Sequence, residues 1–256
     1  MLRPILLATG ILCALFSALT THANSLEKLN LATFKIPHYV ESDDTGVFIN
    51  LTREIAKRAE LDITITLYPR LRAFQFFNAQ TADALFPVVD VDFEVLPIQP
   101  LLSDSFYTKT DYIFTRNGSP LLSTIEQLKQ AGAVGIVLGY PYSPEIMFST
   151  ELTLTRAIND HQLVKRLLGR RIEAAIIEEI SALRVIHDLN ASGKLQYRQH
   201  HPISTMHTYY ALPNTPTGAK LKQRISEAIA EIKRDGTYNA IVQTPNRRIH
   251  GQHQQP

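Results

Sequence analysis

Hydrophobic residues along the chain follow two alternating periods. Short apolar runs, typical of buried strands, occupy residues 29–34, 63–67 and 84–89. Between these runs, apolar side chains recur at helical spacing; they are Phe48, Leu51, Ile55 and Ala59 in one helix and Leu71, Phe74 and Phe77 in the next. This βαβαβ order predicts a parallel sheet that is covered by helices.

A second unit with the same alternation follows. Strands are predicted at residues 133–138 and 172–177, and a capping box formed by Ser123 and Glu126 predicts a helix before the first of them. Further helices are predicted after Ser143, over residues 180–189 and over residues 221–232. Two open α/β units in one chain leave a cleft between them, where such proteins bind ligands.

The N-terminal segment indicates export. Arg3 is the only Lys, Arg, Asp or Glu before Glu27, and the apolar residues 5–19 are followed by the small-residue motif Thr21-His22-Ala23. This order predicts that residues 1–23 are a cleaved signal peptide, with an uncleaved anchor as the alternative. We therefore expect a soluble, monomeric protein in the periplasm.

Composition excludes several classes of function. The single cysteine, Cys13, lies inside the apolar segment, so the exported chain is left without a disulfide or a thiol nucleophile. Lys plus Arg number 26 and Asp plus Glu 24, without a basic run of the kind that binds nucleic acid. His200, His201 and His207 lack an acid at ligand spacing, so we expect neither a metal nor another cofactor.

Four short motifs occur in an order that is typical of one protein family. They lie at residues 46–51, 82–84, 103–107 and 233–238. The most specific is the last, Lys-Arg-Asp-Gly-Thr-Tyr. With them the chain resembles the periplasmic solute-binding proteins of the polar amino-acid type, extracellular family 3. The chain departs from the family pattern at Asn50, where Asp is usual, and at Ser105, where Pro is usual.

The resemblance implies a fold and a domain organisation. The implied fold is the α/β, two-lobed periplasmic binding protein fold of type II, in which each lobe is a mostly parallel sheet flanked by helices. Lobe 1 is then residues 24–111 plus 208–245, lobe 2 is residues 112–207, and residues 246–256 form a polar tail. The lobes are expected to close on the ligand about hinges near residues 112 and 208.

The resemblance also implies positions for the binding site. Phe34 and Tyr39 match an aromatic loop that stacks on the ligand, although Phe34 is equally consistent with a core residue. Tyr140 and Ser143 match an anion site at the start of a helix. Glu178 matches the family's amine-binding Asp and is preferred over Glu179; the alternative is an acid that interacts with a helix dipole.

The carboxylate clamp of the family is missing. Residues 90–97 occupy the place of the Thr-x-x-Arg motif but contain neither Thr nor Arg, and they include Asp90, Asp92 and Glu94. Either these acids favour a cationic ligand, or they form a solvated loop. Arg70 or Arg72, at the start of a predicted helix, is the candidate replacement for the clamp.

These observations favour a binding protein over an enzyme. We expect the chain to bind a small polar solute, amino-acid-like or amine-bearing, and to deliver it to an ABC-type permease in the inner membrane. One alternative is a sensor coupled to a membrane receptor. The other is an enzyme similar to the cyclohexadienyl dehydratases, in which Glu178 or Glu179 acts as a general acid or base.

Overall fold

The computed structural model describes residues 27–89, 92 and 99–242 of the 256-residue chain. The predicted signal peptide, the acids Asp90 and Glu94 and the predicted polar tail lie outside these residues. Within the described ranges, no helix combines the length and the apolar character needed to cross a membrane.

Strands and helices alternate along the chain, as the hydrophobic pattern predicts. The strands are β1 Glu27–Thr33, β2 Leu61–Leu67, β3 Ala84–Val89, β4 Leu101–Leu102, β5 Tyr107–Arg116, β6 Ala133–Val137, β7 Thr153–Ala157, β8 Ala174–Glu178, β9 Leu195–Gln196 and β10 Ser204–Leu212. The helices are α1 Val47–Arg58, α2 Arg70–Asn78, α3 Ile125–Gln130, α4 Pro144–Met147, α5 Asp160–Leu168, α6 Glu179–Asp188 and α7 Pro216–Arg234.

The strands form one continuous sheet in the order β2-β1-β3-β10-β5-β8-β6-β7, with β4 paired to β10 and β9 paired to β5. Strand β1 is parallel to both β2 and β3, and β6 is parallel to both β7 and β8. Strands β5 and β10 are antiparallel to their neighbours and join these two parallel parts. We call the part with β1, β2 and β3 the first lobe and the part with β6, β7 and β8 the second lobe.

The two joining strands change partners along their length. In β5, Asp111 pairs with Ser204 of β10 and also with Glu178 of β8. In β10, Thr208 pairs with Tyr107 of β5 and with Val89 of β3. These exchange points lie next to the predicted boundaries after residues 111 and 207; the boundaries and the hinges stay predictions.

Each lobe has a hydrophobic core on both faces of its sheet. In the first lobe, α1 and α7 cover one face through residues such as Ile55 and Ile225, and α2 covers the other through Phe74 and Phe77. In the second lobe, α5 and α6 pack on one face, and Leu128 of α3 lies on the other. Burial on both faces explains why β3 and β8 are buried along their full lengths.

One helix start differs from the sequence prediction. The capping box of α3 is formed by Thr124 and Gln127, so the prediction of Ser123 and Glu126 is wrong by one residue. Both pairs fit the sequence pattern, and only the backbone conformation at Thr124 selects between them.

Gly46 connects the first helix to the loop that carries Tyr39. It precedes α1 with a φ of +133°, and an added Cβ would lie 2.3 Å from the Tyr39 carbonyl oxygen. The backbone N–H of Phe48 donates to the same oxygen at 2.9 Å, which fixes the loop against the helix. Glycine is required here because the conformation and the space both exclude a side chain.

We predict that Gly46→Ala destabilises the protein by about 3 kcal/mol, since backbone strain of about 1–3 kcal/mol adds to a steric clash. The matched control is Gly118→Ala, which has a φ of +82° and no atom within 4 Å of the added Cβ. It retains only the backbone strain. Urea unfolding measures both free energies, and equal losses would show that contact with Tyr39 does not matter.

Candidate ligand-binding site

A cavity of about 320 Å³ lies where the two lobes meet. This volume is within the range of small-molecule sites. Residues of the first lobe that line it include Phe34, Ile36, Tyr39, Phe48, Arg70 and Val89. The second lobe contributes Leu138, Gly139, Tyr140, Pro141, Glu178 and Ser181, and the joining strands contribute Tyr107, Lys109 and Thr208. Most of these side chains are apolar or aromatic, so the few charged groups decide the chemistry.

Glu178 is the acid at the centre of the cavity wall. It ends β8, precedes α6 as its N-cap and is 7% exposed. Its carboxylate accepts the backbone N–H groups of Ile180 at 3.2 Å and Ser181 at 2.8 Å. From the first lobe's side, the hydroxyl groups of Tyr39 and Tyr107 donate to it at 2.7 and 2.9 Å. Hydrogen bonds and the helix N-terminus, rather than an ion pair within the described residues, stabilise this negative charge.

The two tyrosines and Glu178 have fewer protons than there are hydrogen-bonding contacts among them. Burial, followed by the nearby Glu178 charge, raises the pKa of both Tyr39 and Tyr107 well above the usual value, so each phenol keeps its one proton. The two hydroxyl oxygens are also 2.8 Å apart. Three short oxygen–oxygen contacts therefore share two phenolic protons, and one contact always lacks a donor.

An aromatic wall supports this cluster. The ring of Phe48 lies 4.6 Å from that of Tyr39 and 5.0 Å from that of Tyr107, measured between centroids. Phe106 packs edge-on against Phe48 at 5.1 Å from the other side. Aromatic packing of this kind fixes the ring positions, so the two hydroxyl groups are held in place before a ligand arrives.

Arg70 forms an ion pair inside the cavity. It is the first residue of α2, and its guanidinium lies 5.4 Å from the Phe34 ring centroid and 4.9 Å from that of Phe74. The same group contacts the buried carboxylate of Asp92, which also accepts the Val89 backbone N–H at 3.1 Å. Burial raises the pKa of Asp92 and Arg70 opposes that shift. The alternative that the acids at the missing clamp form a solvated loop is therefore wrong for Asp92.

Lys109 forms a second internal ion pair. Lys109 and Asp111 are two residues apart on β5, so their side chains lie on the same face of the strand and contact each other. Asp111 is fully buried and also accepts the Ser204 hydroxyl at 2.8 Å. The Lys109 ammonium group lies 4.9 Å from the centroid of the Tyr142 ring. The positive charge at this end of the cavity is therefore already compensated.

A further acid lies behind the cavity wall in the second lobe. Asp160, the first residue of α5, is buried and accepts the Tyr140 hydroxyl at 3.1 Å. Burial raises the pKa of Asp160 to about 6. Among the described residues, no group of His, Cys, Asp and Glu side chains is arranged to hold a metal ion.

Most of the residues proposed from sequence meet at this cavity. Those that line it are Phe34, Tyr39, Arg70, Tyr140 and Glu178. Two of them have a structural role and also face the cavity. Phe34 is buried against Phe74, with ring centroids 6.1 Å apart, and also faces the cavity. Glu178 caps a helix and also faces the cavity.

Two proposed residues do not line the cavity. Arg72 is exposed, because it follows Arg70 by two positions in α2 and a side chain there points about 200° away around the helix. Ser143 precedes α4, which has only four residues, and its own carbonyl accepts the Ile146 N–H at 2.9 Å. That N–H is therefore not available to a ligand.

The lining residues that were not proposed from sequence include Phe48, Tyr107 and Lys109. Tyr107, Lys109 and Asp111 alternate along β5, which places a phenol, an ammonium and a carboxylate on one face of a largely buried strand. That alternation is visible in the sequence and is the signal that would have indicated them. Phe48 carries no such signal, because its spacing in α1 is that of an ordinary core residue.

Comparison with known proteins gives a clear result only at the level of structure. No protein-family model matches the chain, and no curated protein matches its sequence. Among solved structures, the arginine-, lysine-, histidine-binding protein ArtJ from Geobacillus stearothermophilus superposes with a TM-score of 0.62 at 18% identity, covering 88% of this chain and 96% of ArtJ.

Two other solved structures are similar to the same extent. A histidine kinase sensor domain with similarity to periplasmic binding proteins has a TM-score of 0.63 at 18% identity, covering 85% of this chain and 95% of its own. The ancestral amino acid-binding protein AncCDT-1, a precursor of cyclohexadienyl dehydratase, has a TM-score of 0.62 at 14% identity, covering 84% and 92%. The predicted fold class is confirmed: the chain has the two-lobed α/β fold of type II periplasmic binding proteins.

Proposed function

We propose that this protein binds a small amine-bearing solute in the cavity between its lobes and does not transform it. The observation that carries the proposal is Glu178, a buried carboxylate that faces the cavity and has no cationic partner among the described residues. Buried charges in proteins are normally paired. An ammonium group on the ligand would supply the missing partner.

The surroundings of Glu178 suit an ammonium group. Tyr39 and Tyr107 present oxygen lone pairs beside the carboxylate, so an ammonium has several acceptors within reach. The adjacent aromatic faces add cation–π attraction of about 0.5–2 kcal/mol. Asp160 adds a second buried acid behind Tyr140.

The same geometry favours binding over catalysis. Glu178 already accepts hydrogen bonds from two backbone N–H groups and two phenols, so both of its carboxylate oxygens are held in place. No His or Cys occurs among the described lining residues. His and Cys are common members of the nucleophile–base pairs used in covalent catalysis, and this set of residues contains neither of them.

We further propose that the protein is exported to the periplasm as a monomer and delivers its ligand to an ABC-type permease. The predicted signal peptide supports export. The fold occurs both in the substrate binding protein of an amino acid ABC transporter and in a histidine kinase sensor domain, so sensing is the second candidate. Retention of uptake in a strain that lacks this protein would favour sensing.

The direct test is native mass spectrometry of the protein purified from the periplasm without a denaturing step. We expect an intact solute of low mass that carries an amine and is released unchanged on unfolding. Recovery of a reaction product after incubation with candidate substrates such as prephenate would contradict the binding proposal.

A matched pair of variants tests the role of Glu178. Glu178→Gln keeps a hydrogen-bond acceptor for the helix cap but removes the charge, so ligand affinity should fall about ten- to a hundredfold. Glu179→Gln makes the same change one residue later, where the carboxylate accepts the Tyr197 hydroxyl at 2.7 Å outside the cavity. Calorimetry with the recovered solute should show a loss in the first variant only. Equal affinity in both would remove Glu178 from the site.

A further inference from the structure

We propose that the ligand is a primary monoamine with an apolar or aromatic body and no carboxylate group, so that α-amino acids are not the preferred ligands. This inference rests on the proposed function and specifies the ligand class of the same site. It follows from the way in which charges are paired along the cavity wall.

Arg70 carries the guanidinium that is best placed to bind a ligand carboxylate, but it is already paired with a carboxylate of the protein. Arg70 faces the cavity, but its charge is compensated by Asp92, which is buried and held by the Val89 N–H. A ligand carboxylate at Arg70 would therefore lie close to a second buried carboxylate. Like charges in a desolvated site repel strongly, so the arrangement opposes an anionic group.

The other two cations of the wall do not replace it. Lys109 is held by Asp111, which is fully buried. The side chain of Lys35 is 67% exposed, and its ammonium lies 3.7 Å from Glu41. Residues 90–97, which occupy the place of the clamp in the family that the sequence resembles, contain neither Lys nor Arg. Within the described part of the wall, each cation thus has its own acid.

The acid that the second lobe contributes to the wall is in the reverse situation. Glu178 has no counter-ion among the described residues, and its three contacts with Tyr39 and Tyr107 share two phenolic protons. An ammonium group that donates to Glu178 supplies the missing positive charge, and it releases one phenolic proton for the contact between Tyr39 and Tyr107. One lining acid without a counter-ion calls for one positive charge, so a monoamine fits better than a diamine.

The remaining wall determines the body of the ligand. The cavity is also lined by Phe34, Pro87, Val89, Leu138 and Pro141. These side chains offer apolar contact and no hydrogen-bonding groups. A ligand that fills this space gains about 25 cal/mol for each Å² of apolar surface that it buries, which favours an alkyl or aromatic body.

The experiment compares amino acids with their own decarboxylation products. Calorimetry on the full exported protein, stripped of any co-purified solute, would measure phenethylamine against phenylalanine, tyramine against tyrosine and cadaverine against lysine. The neutral control is 2-phenylethanol, which keeps the aromatic body and lacks the amine. We expect a monoamine to bind at least about tenfold more tightly than its parent amino acid, than cadaverine and than the alcohol.

The outcomes separate this inference from the proposed function. If an amino acid binds as tightly as its amine, the inference is wrong and solute binding stands. If the alcohol binds as tightly as the amine, Glu178 does not select a cation and both the inference and the amine-bearing part of the proposed function fall. If none of these compounds binds, both are overturned as well.

An isosteric variant tests the charge pairing itself. Asp92→Asn keeps an acceptor for the Val89 N–H but leaves Arg70 without its acid, so the preference for amine over amino acid should fall at least about tenfold. Asp62→Asn, at an exposed position on β2, is the control for the change in total charge. An unchanged preference in Asp92→Asn would show that the Arg70–Asp92 pair does not exclude carboxylates. The ligand series on the unmodified protein remains decisive if this variant does not fold.

Discussion

The structure depends on one buried carboxylate that belongs to the fold and to the cavity at the same time. Glu178 begins α6 by accepting two of its backbone N–H groups, and it also accepts two phenols from beyond the second lobe. These four donors hold the carboxylate in place but supply no positive charge, so it keeps no counter-ion among the described residues. The consequence is that one side chain both links the two lobes and faces the cavity between them.

The charged groups in and behind the cavity wall differ in whether they have a counter-ion among the described residues. Arg70 and Lys109 each have a buried acid of their own, whereas Glu178 and Asp160 have only hydrogen bonds. Such pairs contribute little net stability, because desolvation offsets the attraction between the charges. Under the proposed function, their effect is on selectivity: they remove the positive sites that an anionic ligand would need and leave a negative one. The apolar lining of the cavity would then select the shape of the ligand.

Much of this arrangement could be predicted from local sequence, and the exceptions have physical causes. The period of apolar residues predicts α1, β3 and β8, because burial on a defined face imposes that period. The joining strand β5 was not predicted, since its first half alternates Tyr, Lys and Asp, and the first two of these residues line the cavity instead of a core. The capping box of α3 was predicted one residue too early, because adjacent Ser and Thr residues give equivalent sequence signals.

The sequence by itself determined the alternation of strands and helices, the missing carboxylate clamp and several of the side chains that face the cavity, including Tyr39 and Glu178. The alternation follows from hydrophobic period, and the clamp and the side chains follow from the resemblance of short motifs to one family; both are local properties of the sequence. Only the tertiary structure decided the partners: Arg70 with Asp92, Lys109 with Asp111, and Glu178 with two phenols. The members of the first and last sets are distant in sequence, and charge compensation depends on distances in space that no local pattern encodes.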